Sequence, residues 1–390
     1  MSSMCGIVDF EKKSVNFSVL REMGRAMVLR GPDQSGAYLT GGIGLYHNRA
    51  LCGEDESARQ PYTVVRGDHA YTVMVDGILK DSRYADGQFA LFDFSSAAEA
   101  VLEAYLSFGL DFSSYVQGSF AFAICDEYRG EMILGRSADG RRPLYYTYAD
   151  GRLIFASEVK GMLHNGNGRL PVNEGILRRH LTAPMGSFDA CALYPTLFSI
   201  RAGTCTVFSR IDAQTVDLPF DSGEESEIGP LLVPSATDAV PLDECLAEAL
   251  QAFDYPQFDA DMQSYLGLLR QAREKNMRAV RILDGARRES LSYAREREDR
   301  LGSVCGVTVQ GVTPPDLKRS SKPLRALEHA LSERLSLCDA RILTRLYGEG
   351  VIETVKREKE ISRRIRMMGI LCQSEPWMER YALSVTRSAV

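Results

Sequence analysis

The chain has 390 residues, of which 45% are hydrophobic and 25% are charged, values typical of soluble globular proteins with two or three domains. Its formal net charge of −6 gives no electrostatic reason to expect nucleic acid as a partner. No apolar run approaches the ~18 residues of a membrane span, and Glu11, Lys12 and Lys13 interrupt the region where a signal peptide would be apolar, so we predict a cytoplasmic protein that binds no membrane.

The predicted elements change in character along the chain. Up to about Arg210, short runs of alternating apolar residues are separated by Gly, Asp and Asn turns, a pattern that predicts antiparallel strands. Helical spacing is found at Ser18–Val28 and at Ala97–Phe108. Residues 213–240 are acidic and contain Pro and Ser, which predicts a linker, and residues 241–390 show helical periodicity almost throughout.

Cys5 is the first candidate functional residue. The nine cysteines include no CxxC pair, which argues against a disulfide framework and a zinc ribbon, so we expect no metal and no cofactor. A cysteine this close to the amino terminus can become the terminal residue, and its α-amine, with a reference pKa near ~8, can then take the thiol proton. The alternative is a buried strand cysteine, because unpaired Cys is among the most buried residue types.

Eight short motifs then follow one another in a recognisable order. They are Cys5-Gly6-Ile7, Arg30-Gly31-Pro32-Asp33, His47-Asn48-Arg49-Ala50-Leu51, Gln60-Pro61, Asp76-Gly77, Gly118-Ser119-Phe120-Ala121-Phe122-Ala123-Ile124, Pro143-Leu144-Tyr145-Tyr146 and Phe155-Ala156-Ser157-Glu158-Val159-Lys160. In this order the region resembles the class II glutamine amidotransferases, and within them the amino-terminal domain of glutamine-dependent asparagine synthetase. The resemblance implies an α+β protein, in which residues 4–212 form a four-layer αββα sandwich of the amino-terminal-nucleophile hydrolase type and a mainly α-helical domain follows at 241–390.

The same resemblance implies a reaction and its residues. Cys5 matches the terminal nucleophile that attacks the side-chain amide of glutamine, which requires that residues 1–4 are absent from the mature chain. Arg49 matches the arginine that binds the α-carboxylate of glutamine, and Leu51 belongs to the same substrate-binding motif. Gly77 matches the glycine whose backbone N–H helps to form the oxyanion hole. We expect a small-molecule amide, glutamine or an analogue, as the substrate.

Three further positions depart from the family pattern. Asp76 stands at the site of the asparagine that completes the oxyanion hole, where a carboxylate would repel a developing oxyanion. Ile78 and Ala97 replace the two carboxylates that hold the α-ammonium group of glutamine. The substitutions predict impaired or altered glutamine specificity, and an amide without an α-ammonium group would reconcile the nucleophile with this pocket.

The second half of the chain lacks the expected ATP site. The Ser-Gly-Gly-x-Asp-Ser loop of the synthetase domain is missing from the sequence, so residues 241–390 are interpreted as a truncated or replaced remnant. Two hypotheses remain. One is an asparagine synthetase-type amidotransferase that passes ammonia to a synthase reaction, with a separate ATP-dependent subunit as its partner. The other is a non-catalytic binding or assembly module. The sequence leaves a homo-oligomer open.

Overall fold

The computed structural model divides the chain into two compact units. The amino-terminal unit comprises Met1–Gly168 and Leu197–Ser226, and the carboxyl-terminal unit comprises Arg169–Thr196 and Glu227–Val390. The structure describes residues 2–51, 58–79, 94–164, 170–183, 190–218, 230–232, 239–277, 279–283, 297, 300–302, 304–305, 307–312, 321–381 and 384–386. Most of the predicted linker, 213–240, lies outside the described residues.

Both units contain strands as well as helices. The strands of the described residues are β1 (Ser3–Asp9), β2 (Gln34–Thr40), β3 (Ile43–Arg49), β4 (Tyr62–Arg66), β5 (His69–Leu79), β6 (Gly118–Asp126), β7 (Glu131–Arg136), β8 (Tyr145–Ala149), β9 (Arg152–Ala156), β10 (Pro171–Asn173), β11 (Phe198–Ser199), β12 (Thr204–Phe208), β13 (Ala213–Asp217), β14 (Leu231–Leu232), β15 (Ala279–Leu283), β16 (Thr308–Val312) and β17 (Ser384–Thr386). Helices with both bounds in the described residues are α1 (Phe17–Ala26), α2 (Ala97–Phe108), α3 (Val159–Leu163), α4 (Glu174–Thr182), α5 (Ala190–Leu193), α6 (Leu242–Phe253), α7 (Met262–Glu274), α8 (Ser321–Ser336), α9 (Ala340–Tyr347), α10 (Val351–Arg357) and α11 (Ile361–Tyr381), with 3-10 helices at Val28–Arg30 and Gly109–Ser114.

Two six-stranded antiparallel sheets form the centre of the amino-terminal unit. The first sheet has the order β11-β8-β9-β1-β3-β2, and the second has the order β13-β12-β7-β6-β5-β4. Helices α1 and α3 cover the first sheet and α2 covers the second. Since each sheet must bury an apolar face against another layer, one core lies between the sheets and another lies between the second sheet and α2. The predicted four-layer αββα sandwich is confirmed.

Strand β1 lies inside the first sheet and is buried on both faces. Cys5 pairs with Tyr46 of β3 on one side and with Ala156 of β9 on the other. Because side chains alternate along a strand, Met4 enters the core between the sheets, whereas the Cys5 thiol points to α1, with Sγ 3.9 Å from the carbonyl oxygen of Leu20. The face reached by each residue of β1 decides which of them can take part in a site between the sheets.

The carboxyl-terminal unit is mainly helical, as predicted, but also contains two small parallel sheets. One pairs β10 with β17, and the other has the order β14-β15-β16. The sequence analysis missed these strands because short apolar runs look alike in buried strands and buried helices. The long helix α11 carries Trp377, which is fully buried and donates its Nε1 hydrogen to the carbonyl oxygen of Asp254 at 3.1 Å.

The boundary between the units differs from the predicted one. Residues 169–196, placed by the prediction in the amidotransferase-like domain, belong to the carboxyl-terminal unit. His180 Nε2 lies 2.9 Å from the carbonyl oxygen of Pro256, and the Tyr194 hydroxyl donates to the carbonyl oxygen of Asp254 at 2.9 Å. Contacts between residues so far apart in the sequence cannot be predicted from a local sequence pattern. Residues 213–217 of the predicted linker form β13, the edge strand of the second sheet.

Candidate functional site

Cys5 is not part of an accessible site. Its side chain is fully buried, and this burial raises the pKa of the thiol well above its usual range. The residue before it is fixed in the sheet, since the backbone N–H of Met4 donates to Ser157 Oγ at 3.0 Å and its carbonyl oxygen accepts from the Ser157 N–H at 2.9 Å. A buried thiol without a nearby cation is a poor nucleophile. In the chain that retains residues 2–4, Cys5 is thus a buried strand cysteine, and its nucleophilic role, which requires the absence of residues 1–4, stays a prediction.

A buried charged cluster lies instead around Ser2, immediately before β1. We call it the Ser2 cluster and define it by Ser2, Arg30, Asp76, Glu158 and Lys160. The backbone nitrogen of Ser2 donates to Asp76 Oδ1 at 2.9 Å, and the Ser2 carbonyl oxygen accepts from Arg30 Nε at 2.8 Å. Both polar groups of this backbone are thus fixed by charged side chains.

Arg30 is the centre of the cluster. Its Nη2 lies 2.8 Å from Asp76 Oδ2, and its Nη1 lies 3.5 Å from Glu158 Oε1. Lys160 Nζ contacts the other oxygen of Glu158 at 2.7 Å. The side chains of Arg30 and Asp76 have no exposed surface. Two cations and two carboxylates therefore balance in a largely buried region, where an unpaired charge would be costly. Ser2 (8%) and Lys160 (7%) keep a small exposed surface.

The fold brings these residues together from distant parts of the chain. Arg30 ends a 3-10 helix, and the next residue is Gly31, where a Cβ would lie 2.3 Å from the carbonyl oxygen of Asn48. Only glycine permits this approach to β3. Asp76 follows Met74 on the face of β5 that looks towards the first sheet, because Met74 lies in the core between the sheets. Ile78 continues the same alternation and is 48% exposed.

Gly77 follows Asp76 on β5, and Arg49 ends β3 directly before Ala50, whose backbone N–H donates to Ser2 Oγ at 3.4 Å. Gly77 has φ +141°, and a Cβ there would lie 2.1 Å from the carbonyl oxygen of Ser119, so both conformation and space require glycine. Arg49 is the last residue of β3 and is 2% exposed. Its Nη1 donates to the carbonyl oxygen of Ala58 and to Gln34 Oε1. The guanidinium predicted to bind a carboxylate thus already has partners within the chain.

The two remaining predicted site residues, Leu51 and Ala97, lie in different parts of the amino-terminal unit. The backbone nitrogen of Leu51 donates to Asp33 Oδ2 at 2.9 Å, two residues beyond Arg49. Ala97 is the first residue of α2 and packs against the core between α2 and the second sheet. That core lies on the opposite face of β5 from Asp76. The structure therefore brings Arg49, Asp76, Gly77 and Ile78 to neighbouring strand ends, and it does not bring Cys5 or Ala97 to them.

Ser2 is the candidate that the sequence analysis missed. Its Oγ accepts from the backbone nitrogen of Ala50 at 3.4 Å, so the hydroxyl lies beside the end of β3. No sequence pattern indicated it, because Ser2 lies just before β1 and the residues Ser3–Val8 are all buried, without alternation. A serine carries a hydroxyl and a backbone nitrogen on one residue, which is the combination that an amino-terminal nucleophile needs.

His47 lies next to the cluster and is held as a neutral side chain. It is fully buried, and this desolvation lowers its pKa to about 4. Nε2 lies 3.1 Å from the carbonyl oxygen of Val75, so the Nε2 hydrogen is the donated one, while Nδ1 has no hydrogen-bond partner among the described residues. The imidazole therefore bridges the two sheets without adding a charge beside Asp76.

The buried His47 predicts acid destabilisation. A histidine with pKa ~6.5 in the unfolded chain and about 4 in the folded protein favours folding fully above about pH 6.5, and this contribution of up to ~3 kcal/mol is lost as the pH falls towards 4. We expect urea unfolding, followed by circular dichroism across this range, to show a smaller loss for His47→Gln than for the wild type. The buried His180, whose pKa is lowered to about 3, makes the same contribution to acid destabilisation in the wild type and in His47→Gln. Parallel losses would contradict the prediction.

Metal ligation and membrane insertion find no support in the described part of the chain. Within it, no group of three or more His, Cys, Asp or Glu side chains is arranged to hold a metal ion. Each helix in the same residues is too short or too polar to cross a membrane.

Comparisons with known proteins find relatives that match part of the chain. Among curated proteins, the chain is 30% identical over 171 residues to asparagine synthetase (glutamine-hydrolyzing) 3 of Bacillus subtilis, covering 41% of this chain and 27% of that protein. It is 36% identical over 141 residues to amidase chyE of Penicillium rubens, covering 35% of this chain and 21% of that protein. The chain thus spans about a quarter of the length of these relatives.

A solved structure and a family match complete the comparison. The glutamine phosphoribosylpyrophosphate amidotransferase of B. subtilis, complexed with ADP and GMP, has a TM-score of 0.43 and 14% identity, covering 83% of this chain and 70% of that chain. At that TM-score the likeness supports no inference about this protein. The family whose sequence model matches residues 1–217 is described as a glutamine amidotransferase domain. Because these residues make up more than half of the 390, the chain belongs to the glutamine amidotransferase domain family.

Proposed function

We propose that this protein hydrolyses a primary amide of the glutamine type, with Ser2 in place of Cys5 as the nucleophile and ammonia as a product. The observation that carries the proposal is the position of Ser2, whose backbone nitrogen lies 2.9 Å from Asp76 Oδ1 beside the Gly77 strand end. The names of the relatives, a glutamine-hydrolysing asparagine synthetase and an amidase, also support amide chemistry.

The reaction would use the two reactive groups of Ser2. When Ser2 is the first residue of the mature chain, its neutral α-amine takes the proton of its hydroxyl, and the oxygen forms a bond to the amide carbon. The backbone N–H of Gly77 then donates to the oxyanion. The protonated amine returns its proton to the leaving nitrogen, the C–N bond breaks, and ammonia and an ester are formed. Water cleaves the ester to give a carboxylate and free Ser2.

The exposed end of β5 supports the proposal of an altered amide specificity. Ile78 lies two residues from Asp76 on the same face of β5 and is 48% exposed, so it offers an apolar contact where a substrate would approach. The carboxylates of the Ser2 cluster are both ion-paired. We therefore propose an amide without an α-ammonium group as the preferred substrate. The released ammonia would serve an ATP-dependent synthase reaction of the asparagine synthetase kind on a separate subunit.

A non-catalytic binding or assembly module is the second candidate. The complete burial of the Arg30–Asp76 pair favours it, because such a pair can be retained for the specificity of folding alone. In that case the Ser2 cluster would only fix the start of β1, and the amine of Ser2 would have no substrate to act on.

An experiment on the purified protein separates the two candidates. Intact-mass analysis identifies the first residue, and periodate, which oxidises an amino-terminal serine to a glyoxylyl group, tests whether its amine and hydroxyl are both free. We expect ammonia release from glutamine or from its des-amino analogue, with loss of this activity after periodate. An untreated protein that begins at Ser2 and releases no ammonia from either glutamine or its des-amino analogue would favour the non-catalytic binding or assembly module.

A further inference from the structure

We propose that Asp76 controls the protonation of the Ser2 amine, and thereby the pH range in which this amine can act as a base, with Arg30 limiting the effect. The inference rests on the proposed function and assigns Asp76 as a positioning residue. Asp76 Oδ1 accepts from the Ser2 nitrogen at 2.9 Å, and Oδ2 of the same carboxylate lies 2.8 Å from Arg30 Nη2. One carboxylate thus connects the reactive nitrogen to a buried cation.

The sign of the effect follows from the charges. A free α-amine has a reference pKa of ~7.7 to 8.0, and an opposite charge within ~4 to 6 Å favours its protonated form by about one to three pH units. Asp76 therefore opposes the neutral amine that is required to take the hydroxyl proton. A neutral asparagine would accept the same hydrogen bond without this penalty. The aspartate consequently restricts catalysis to higher pH.

Arg30 weakens the effect of Asp76 on the protonation of the Ser2 amine. Its cation neutralises the carboxylate through Nη2, and its Nε holds the Ser2 carbonyl oxygen at 2.8 Å. It thereby helps to fix the position of Ser2, whose nitrogen donates to Asp76 Oδ1. The Arg30–Asp76 pair thus fixes the position of the Ser2 amine. Part of the negative charge of Asp76 still acts on this amine.

The remaining charged or titratable groups around Ser2 come from two elements, α3 with its N-cap and β3. Glu158, directly before α3, and Lys160 within α3 form their own ion pair at 2.7 Å, so their fields largely offset each other. On β3, His47 is kept neutral by burial, and Arg49 ends the strand. Among the described residues, Asp76 is the carboxylate in direct contact with the Ser2 nitrogen, and its removal should dominate any change in protonation.

The test compares pH profiles of matched variants. The wild type and Asp76→Asn are assayed for ammonia release over a range of pH, and the acidic limb of kcat/KM reports the pKa of the base in the free enzyme. We expect this limb to move to lower pH by about one unit or more in Asp76→Asn. Asp126→Asn is the control, because Asp126 is also buried but lies at the far end of β6, paired with the start of β5.

The outcomes separate this inference from the proposed function. An active wild type whose acidic limb coincides with that of Asp76→Asn would overturn the role of Asp76 and leave Ser2 as the nucleophile. A wild type that begins at Ser2 and releases no ammonia would instead overturn the proposed function. A second measurement needs no variant. The rate at which an acylating reagent modifies the Ser2 amine should rise with a midpoint above ~8, and a midpoint below that value would also overturn the inference.

Discussion

Ser2→Ala should abolish amide hydrolysis, whereas Cys5→Ala should retain it. Ser2 carries the hydroxyl beside the Asp76 and Gly77 strand end, and alanine leaves no atom that can form the ester. Loss of the nucleophile in hydrolases of known mechanism costs several powers of ten in rate, so we expect a fall in kcat of at least about 10³-fold. The Cys5 thiol points to α1 on the other face of the strand and is expected to contribute only to packing.

The measurement is ammonia release per mole of folded protein, with the amount of folded protein taken from thermal unfolding. Ser2→Cys adds a useful comparison, because it keeps a nucleophile at the same position and should retain activity. Since the thiolate is a stronger nucleophile than a hydroxyl near neutral pH, its hydrolysis should also become sensitive to alkylation. Full activity in Ser2→Ala, combined with inactivity in Cys5→Ala, would return the role to Cys5.

Arg30→Met should destabilise the amino-terminal unit by about 3 to 5 kcal/mol. Methionine fills much of the arginine volume, so the loss reports charge more than packing. It would remove the ion pair of Asp76 with Arg30 and that of Glu158 with Arg30, in a place where both carboxylates are buried. The Ser2 carbonyl oxygen would also lose its donor at 2.8 Å.

Hydrogen exchange measured by mass spectrometry can locate this loss. We expect faster exchange in peptides from β1 and β5 of Arg30→Met, with peptides from α11 as an internal reference. Arg25→Met is the matched control. Arg25 pairs with Glu22 on the surface, with 60% of its side chain exposed, and such pairs contribute ~0 to 1 kcal/mol. Equal effects of the two substitutions would show that the buried network adds little to stability.

The sequence predicted the sandwich well because its evidence was local and repeated. Short alternating runs and turn residues indicated the strands, and the ordered motifs implied the αββα layers. The proposed role of Ser2 was harder to predict because β1 shows no alternation of buried and exposed residues. Residues Ser3–Val8 are all buried, since layers cover both faces of this strand. Only the register observed in the sheet shows that Ser2 and Met4 share one face, and Cys5 the other.

The role of Asp76 could not be predicted for a different reason. Viewed alone, a carboxylate beside an oxyanion site is unfavourable. Its partner Arg30 lies 46 residues away in sequence, and no local pattern reports that pairing. The small sheets of the carboxyl-terminal unit were missed for a related reason, because β14 has two residues and pairs with β15 only through the tertiary fold.

The burial of Cys5 has a consequence for how the protein tolerates oxidative stress. Peroxides convert exposed thiolates to sulfenic and then sulfinic acids, and the susceptibility of a cysteine follows its exposure and thiolate character. Cys5 has neither property, and a hydroxyl nucleophile does not undergo this chemistry. Hydrolysis by Ser2 would therefore continue under conditions that silence enzymes dependent on a reactive sulfur.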